Sequence, residues 1–143
     1  MKYLVSCILA FSFLGGPTAV GRDQFMPVSL IQLIATPEKF DSKLVHVQGF
    51  LGLEREHSFL YVHEEDAKHW LVSNAIWVEP SEQMRRDAEK INIMYVEIEG
   101  LFQAGHERHE YFLSGGITQI RKCAAWSNPQ HPISLRNQDR KNK

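Results

Sequence analysis

Cysteine is scarce in this chain. Its 143 residues include two, Cys7 and Cys123. Cys7 falls inside an apolar N-terminal run that has the form of an export signal. If that run is removed, Cys123 is the only thiol and no intrachain disulfide can form. An exported destination is compatible with this but does not follow from it. A single cysteine is most often a small buried apolar residue, and a reactive thiol or an intermolecular bridge is the rarer use. Charge of one sign is also lacking. Sixteen basic residues stand against seventeen acidic ones, so no broad basic field exists to hold nucleic acid by counterion release. The basic residues Arg136, Arg140, Lys141 and Lys143 gather near the C-terminus, which leaves the body ahead of them acidic. No apolar run beyond the N-terminus is long enough to span a membrane. Internal repeats and low-complexity tracts are missing, and so are the motifs of common enzymes. There is no Gly-x-Ser-x-Gly elbow, no P-loop and no dinucleotide glycine fingerprint.

The length fits one domain. At the N-terminus Lys2 supplies a positive charge, Tyr3–Leu14 an apolar core of signal-peptide length, and Ala19-Val20-Gly21 a small-x-small cleavage site. Residues 1–21 are therefore expected to be a signal peptide, with a mature chain starting near Arg22 that is secreted or periplasmic. Leu4-Val5-Ser6-Cys7 spells a lipoprotein box, but Cys7 precedes most of the apolar core, so lipidation there is set aside. Residues 22–27 read as a lead-in, 28–126 as the domain, and 127–143 as a basic tail without apolar periodicity.

Within the domain the periodicity is mostly that of strands. Tyr95–Phe102 alternates, with Val96, Ile98, Gly100 and Phe102 on one face. Val45–Leu51 repeats the design, and both stretches carry an internal glycine of the kind that marks a bulge or a bend at a barrel corner. Ser29 and Gln32 form a capping box that opens a first helix, Val28 and Leu33 can staple it, and Pro37 ends it. Strands are predicted at Leu44–Leu53, Phe59–His63, Ala75–Glu79, Met94–Phe102 and Tyr111–Ile120, the last interrupted at Gly115-Gly116. Glu64–Trp70 has a helical composition. Ser81–Ile91 is predicted as a helix that buries Met84, Ala88 and Ile91.

A helix, three strands, a helix and two strands make a β-rich α+β arrangement. With a helix between the third and fourth strands of a closed five-stranded sheet, this is the order of an OB-fold barrel. The segments Val28–Phe40, Leu44–Leu53 and Leu60–Asp66 together resemble a family of small bacterial proteins of uncharacterised function with an OB-like fold. The resemblance runs from about Val28 to Ile120. It implies the fold and a bacterial origin, and it brings no catalytic residues.

OB-folds bind along the face of their second and third strands, between the loops joining strands one to two and four to five. Mapped here, the outer side of that face carries Phe59, Tyr61, His63 and Trp77, with Arg55 and Arg108 in the flanking loops as the nearby cations. Exposed aromatics would stack on a sugar, a base or a partner's side chain. The competing expectation ranks ahead, because large aromatics in small domains are mostly covered. It places them under the N-terminal helix or the segment after the fifth strand. A second constellation is His57 with His106 and His109, in two loops that border the same cleft and could hold zinc or another divalent transition metal. Solvated loop histidines are the commoner arrangement, and the spacing is not that of a metalloprotease helix. The expectation is thus an exported, monomeric, non-catalytic binding protein with no cofactor and a protein, peptide or saccharide partner. Single-stranded nucleic acid and a metal ion are its alternatives.

Overall fold

The computed structural model describes residues 24–105 and 113–127. Among these residues six strands and four short α-helices follow one another, with 3-10 turns at Pro37–Lys39 and Val72–Asn74: β1 (Met26–Pro27), α1 (Leu30–Ala35), β2 (Lys43–Leu53), β3 (Ser58–Tyr61), α2 (Glu64–Lys68), β4 (Ala75–Val78), α3 (Glu82–Arg86), α4 (Ala88–Ile91), β5 (Met94–Ala104) and β6 (Gly115–Ala125). The strands lie in the order β2-β3-β4-β6-β5, and β5 pairs again with β2, so five of them close into a barrel. The pairs are antiparallel except β4 with β6, which run parallel at Trp77↔Gly116 and Val78↔Ile117. This is the OB-like topology that the element order predicts. The sixth strand, β1, lies in what reads as the lead-in and pairs in parallel with β2 at Met26↔Val45.

Closure depends on two long strands bending. β2 pairs with β5 from Lys43 to Leu51 and with β3 from Phe50 to Leu53, so one strand serves two neighbours. The transfer happens beside Gly49, where a Cβ would stand 2.7 Å from Leu60 Cγ and 2.8 Å from the Tyr61 carbonyl oxygen. On β5 the register with β6 slips between Glu99 and Leu101. A side chain on the intervening Gly100 would meet Ile117 Cγ2 at 2.6 Å. Both glycines are sites of close backbone approach at a corner.

The barrel interior is filled by Val45, Val47, Leu51, Leu60, Ile76, Val78, Val96, Ile98, Phe102 and Ile117. Leu30 and Leu33 of α1 join it, as do Met84 of α3 and Ile91 of α4. α1 begins as its sequence requires. Ser29 Oγ accepts from the Gln32 N–H at 3.2 Å while Gln32 Oε1 accepts from the Ser29 N–H at 3.1 Å. Val28 and Leu33, the expected staple, are both buried in the core. The region expected as one helix, Ser81–Ile91, is broken at Asp87 into α3 and α4. The last strand also differs from expectation. It runs from Gly115 to Ala125, so Gly115-Gly116 stands at its beginning and not in its middle, while Tyr111, its expected start, lies outside the described residues.

Candidate functional site

β3 and β4 are buried on both faces, and that settles what the outer face of the barrel can do. Leu60, Ile76 and Val78 point inward. Phe59, Tyr61, Ala75 and Trp77 point outward into a second apolar cluster with Phe50 and Leu113. Phe59 and Trp77 are directly opposed across the β3–β4 ladder, and Phe59 meets Tyr61 edge to face at 5.9 Å. None of the three predicted binding aromatics is exposed: Phe59 and Tyr61 retain 3% of their surface and Trp77 7%. This corrects the reading in which they form an open stacking face. Covering is the outcome that large aromatic area favours, but among the described residues the cover is not the N-terminal helix, whose Leu30 and Leu33 pack into the barrel interior. Ala67 of α2 and Val72 just after it pack on the cluster, so the connection between β3 and β4 folds back over the surface that OB barrels ordinarily use.

One side chain holds that connection down. Asp66 is buried. Its Oδ2 accepts from the His63 N–H at 3.0 Å, and its Oδ1 accepts from Asn74 Nδ2 at 2.9 Å. Its own carbonyl accepts from the Leu71 N–H at 2.9 Å. The start of α2 and the approach to β4 are thereby tied to one carboxylate, with the desolvation of its oxygens offset by real donors.

At the edge of this cover a small cavity of about 50 Å³ remains open. It is lined by Gly52 from the end of β2, Glu54 and His57 from the β2–β3 hairpin loop, Phe59 and Tyr61 from β3, Ala67 and Trp70 from the cover, and Ile93 from the turn before β5. The His57 ring stacks on Phe59 at 6.3 Å, and the Trp70 indole meets Phe59 nearly perpendicular at the same distance. Trp70, its neighbour Leu71 and Ile93 are among the few large apolar residues left exposed, at 47%, 46% and 60%. Trp70 and Ile93 also have left-handed backbones, with φ of +53° and +55°. That conformation suits glycine or asparagine and is unfavourable for a bulky or β-branched residue. Ile93 is held in it by hydrogen bonds. Its N–H donates to the Leu51 carbonyl and to Asn92 Oδ1, both at 2.9 Å, and Asn92 Oδ1 also accepts from the Leu53 N–H at 2.7 Å.

The other predicted site residues divide. His57 lines the cavity. His63 is exposed where the chain enters α2, and Arg55 is exposed in the β2–β3 hairpin. Arg108, His106 and His109 lie outside the described residues. Among the described residues no three His, Cys, Asp or Glu side chains come together to hold a metal ion. Neither Trp70, which the sequence reading places at the end of a helical segment, nor Ile93, which falls between the predicted helix and strand, is among the predicted site residues. The available signal was Trp70-Leu71, an apolar pair at the end of a charged run.

A second, wider groove of about 600 Å³ runs between α1, β1 and β2, with Ile31, Gln32, His46, Gln48 and Val62 among its walls. The His46 ring contacts Glu99 Oε1 at 3.1 Å and Glu97 Oε2 at 3.7 Å, and Lys122 Nζ reaches Glu97 Oε1 at 2.6 Å. The bond from Lys122 holds the Glu97 carboxyl below its ordinary range and the Lys122 ammonium above its own. Cys123 lies half-buried near α3 and α4, and burial pushes its thiol up to about 12, which leaves it a poor nucleophile.

No family model matches the chain, and no curated protein matches it by sequence. Among solved structures, it is similar to a chain described as an aspartyl-tRNA synthetase from Leishmania major Friedlin, with a TM-score of 0.44 and 8% identity. The match covers 75% of this chain and 22% of that one. The barrel therefore spans about a fifth of that protein's length, and a likeness so distant says nothing of what this chain binds or does.

Proposed function

We propose that this chain is an exported, non-catalytic binding protein that holds a protein, peptide or saccharide partner at the rim of its covered OB face. The observation that carries the reading is the pairing of exposure with backbone strain. Trp70 and Ile93 border one cavity, stay largely in solvent, and occupy a conformation in which stability alone would favour a smaller residue. Strain kept at an exposed, bulky position is what a binding surface tolerates and a purely structural turn does not need. Leu71 widens the same apolar rim. Among the described residues Glu54, Glu56, Glu64 and Glu65 outnumber Arg55 and Lys68 around it, which argues against an anionic polymer and so against single-stranded nucleic acid. Export rests on Lys2, the apolar run Tyr3–Leu14 and Ala19-Val20-Gly21; a bacterial cell is the host that the family resemblance suggests. Of the metal alternative, His106 and His109 lie outside the described residues.

The test compares wild type with Trp70→Asn and Leu71→Ser as baits in extract from the exported fraction, and on a saccharide array. Asparagine accepts the left-handed backbone, so the bait stays folded. A partner captured by wild type and by Ile31→Ser, but lost with both rim variants, supports the reading. A partner recovered equally by all four places binding elsewhere. Protein that stays in the cytosol with Met1 at its N-terminus, when expressed in a bacterium, removes the export half.

A further inference from the structure

The wider groove between α1, β1 and β2 exposes a break in the edge of β2. Alternate peptide groups of a strand bond to opposite neighbours. In β2 the odd positions serve β5, since the Leu51 carbonyl accepts from the Ile93 N–H beside that strand. The even positions serve the other edge, since the His46 carbonyl accepts from the Val28 N–H. On that edge β1 pairs no further than His46, and β3 pairs only from Phe50 onward. Gln48 lies between them, so its N–H and C=O face the groove. It is exposed, and no described residue pairs with it across that edge.

Neither neighbour can close the break. After Val28 the chain turns into α1 at its Ser29 cap. Extending the β2–β3 register would set His63 opposite Gln48. The His63 N–H donates to Asp66 Oδ2 at 3.0 Å instead, and its carbonyl accepts from the Ala67 N–H at 3.4 Å. The groove walls indicate what fits the gap. Ser29 and Gln32 are spent on each other in the capping box, and the His46 ring contacts Glu99. No Lys, Arg, Asp or Glu is among the described lining residues, so the wall matches an uncharged ligand. Ile31 is 62% exposed and Val62 is half-buried. One amide donor, one carbonyl acceptor and an apolar wall are the complement of a peptide main chain that carries an apolar side chain. The volume of about 600 Å³ falls within the range of roughly 300–1,000 Å³ found for ligand sites.

We propose that this groove binds an extended peptide segment. One residue of the segment exchanges both main-chain hydrogen bonds with Gln48, and an apolar side chain beside it rests on Ile31 and Val62. The bound residue fills the place between β1 and β3 and makes the edge of β2 continuous. The groove shares no lining residue with the cavity at Trp70, so it is a second surface and does not depend on the rim reading.

The experiment follows the backbone amide of Gln48 by NMR on isotope-labelled protein. The probes are capped peptides, acetyl-Ser-Thr-X-Thr-Ser-amide, with valine, leucine or phenylalanine at X. Each is also made with a single N-methyl group, at X or at the threonine on either side, which keeps the side chains and removes one main-chain donor. The expected result is a saturable downfield shift of the Gln48 amide, with slowed exchange against solvent, for at least one unmethylated peptide. N-methylation at one of the positions should weaken that binding about tenfold, the loss expected for one main-chain hydrogen bond whose partner is left unpaired. Ile31→Ser should weaken it too, and Trp70→Asn should leave it unchanged. No Gln48 shift with any peptide at millimolar concentration, or indifference to N-methylation at every position, overturns the proposal. A Gln48 shift that follows protein concentration without peptide also overturns it, because a second copy then occupies the edge. If the peptides fail while partner capture still depends on Trp70, the groove falls and the rim stands. If they bind while capture ignores Trp70, the rim reading falls and the groove stands.

Discussion

Asp66 Oδ1 accepts a hydrogen bond from Asn74 Nδ2 at 2.9 Å, and this bond joins the first turn of α2 to the residue just before β4. The other oxygen of the same carboxylate accepts from the His63 N–H. Replacing Asp66 by alanine leaves two donors without their acceptor in a partly buried place. Asp66→Ala should cost about 1–3 kcal/mol in urea unfolding. It should also loosen the cover over Phe59, Tyr61 and Trp77, so a dye that binds exposed apolar surface should brighten with the variant and stay dark with wild type.

Ile93→Asn should stabilise the protein. The isoleucine is 60% exposed and contributes little burial, while its φ of +55° is one that asparagine adopts readily. Relief of about 1 kcal/mol should appear as a Tm higher by several degrees for a domain of this size. A lower Tm would show that the isoleucine side chain contributes packing that its exposure conceals.

Two glycines should behave in opposite ways. Gly100→Ala places a Cβ 2.6 Å from Ile117 Cγ2 and 2.9 Å from the Thr118 carbonyl oxygen, inside the β5–β6 corner. The strands must separate, and a loss of about 1–3 kcal/mol is expected by chemical denaturation. Gly52→Ala meets only an ordinary contact and should change stability by less than about 0.5 kcal/mol.

The Glu97–Lys122 pair predicts a stability difference confined to a pH window. Glu97 ionises below its ordinary value of 4.5 in the folded chain, chiefly because of the bond from Lys122, so its contribution is complete above 4.5 and is lost as pH falls through the lower folded value. Lys122 is raised above its ordinary 10.5, so its contribution is complete below 10.5 and is lost as pH rises through the higher folded value. Lys122→Met should therefore melt slightly below wild type at neutral pH, and the two should converge in acid and in strong base. Both groups are partly solvated, so added salt should shrink the difference.

Cys123 should resist alkylation at pH 8 in the folded state and react promptly in urea, since burial pushes the folded thiol up to about 12. Rapid reaction in the native protein would show that the segment carrying it opens.

Most of the fold is legible from local pattern. The alternation of Val45–Leu51 and Tyr95–Phe102 and the capping box at Ser29 and Gln32 are short-range signals that describe the structure, and the spacing of Met84 and Ile91 marks two buried residues although the helix read from it is broken at Asp87. The site was less legible. Phe59, Tyr61 and Trp77 do share one strand face, as the period of two requires, but no strand pattern reveals whether something lies on that face.

The chain's own order of residues determined which segments are strands, where they bend and which side chains point inward, because those properties depend on neighbours two to four positions away. It also determined that no broad basic field is available, since charge follows from composition. Only the tertiary structure decided that the β3–β4 connection folds back over the outer aromatics. That outcome depends on Asp66 meeting both His63 and Asn74, and on Ala67 and Val72 meeting rings from three strands. The rim was decided in the same way. Trp70 and Ile93 are separated by 23 positions and border one cavity because barrel closure brings the turn before β5 beside the end of β2. Contacts of that range are set by closure of the whole sheet, and local sequence carries no record of them.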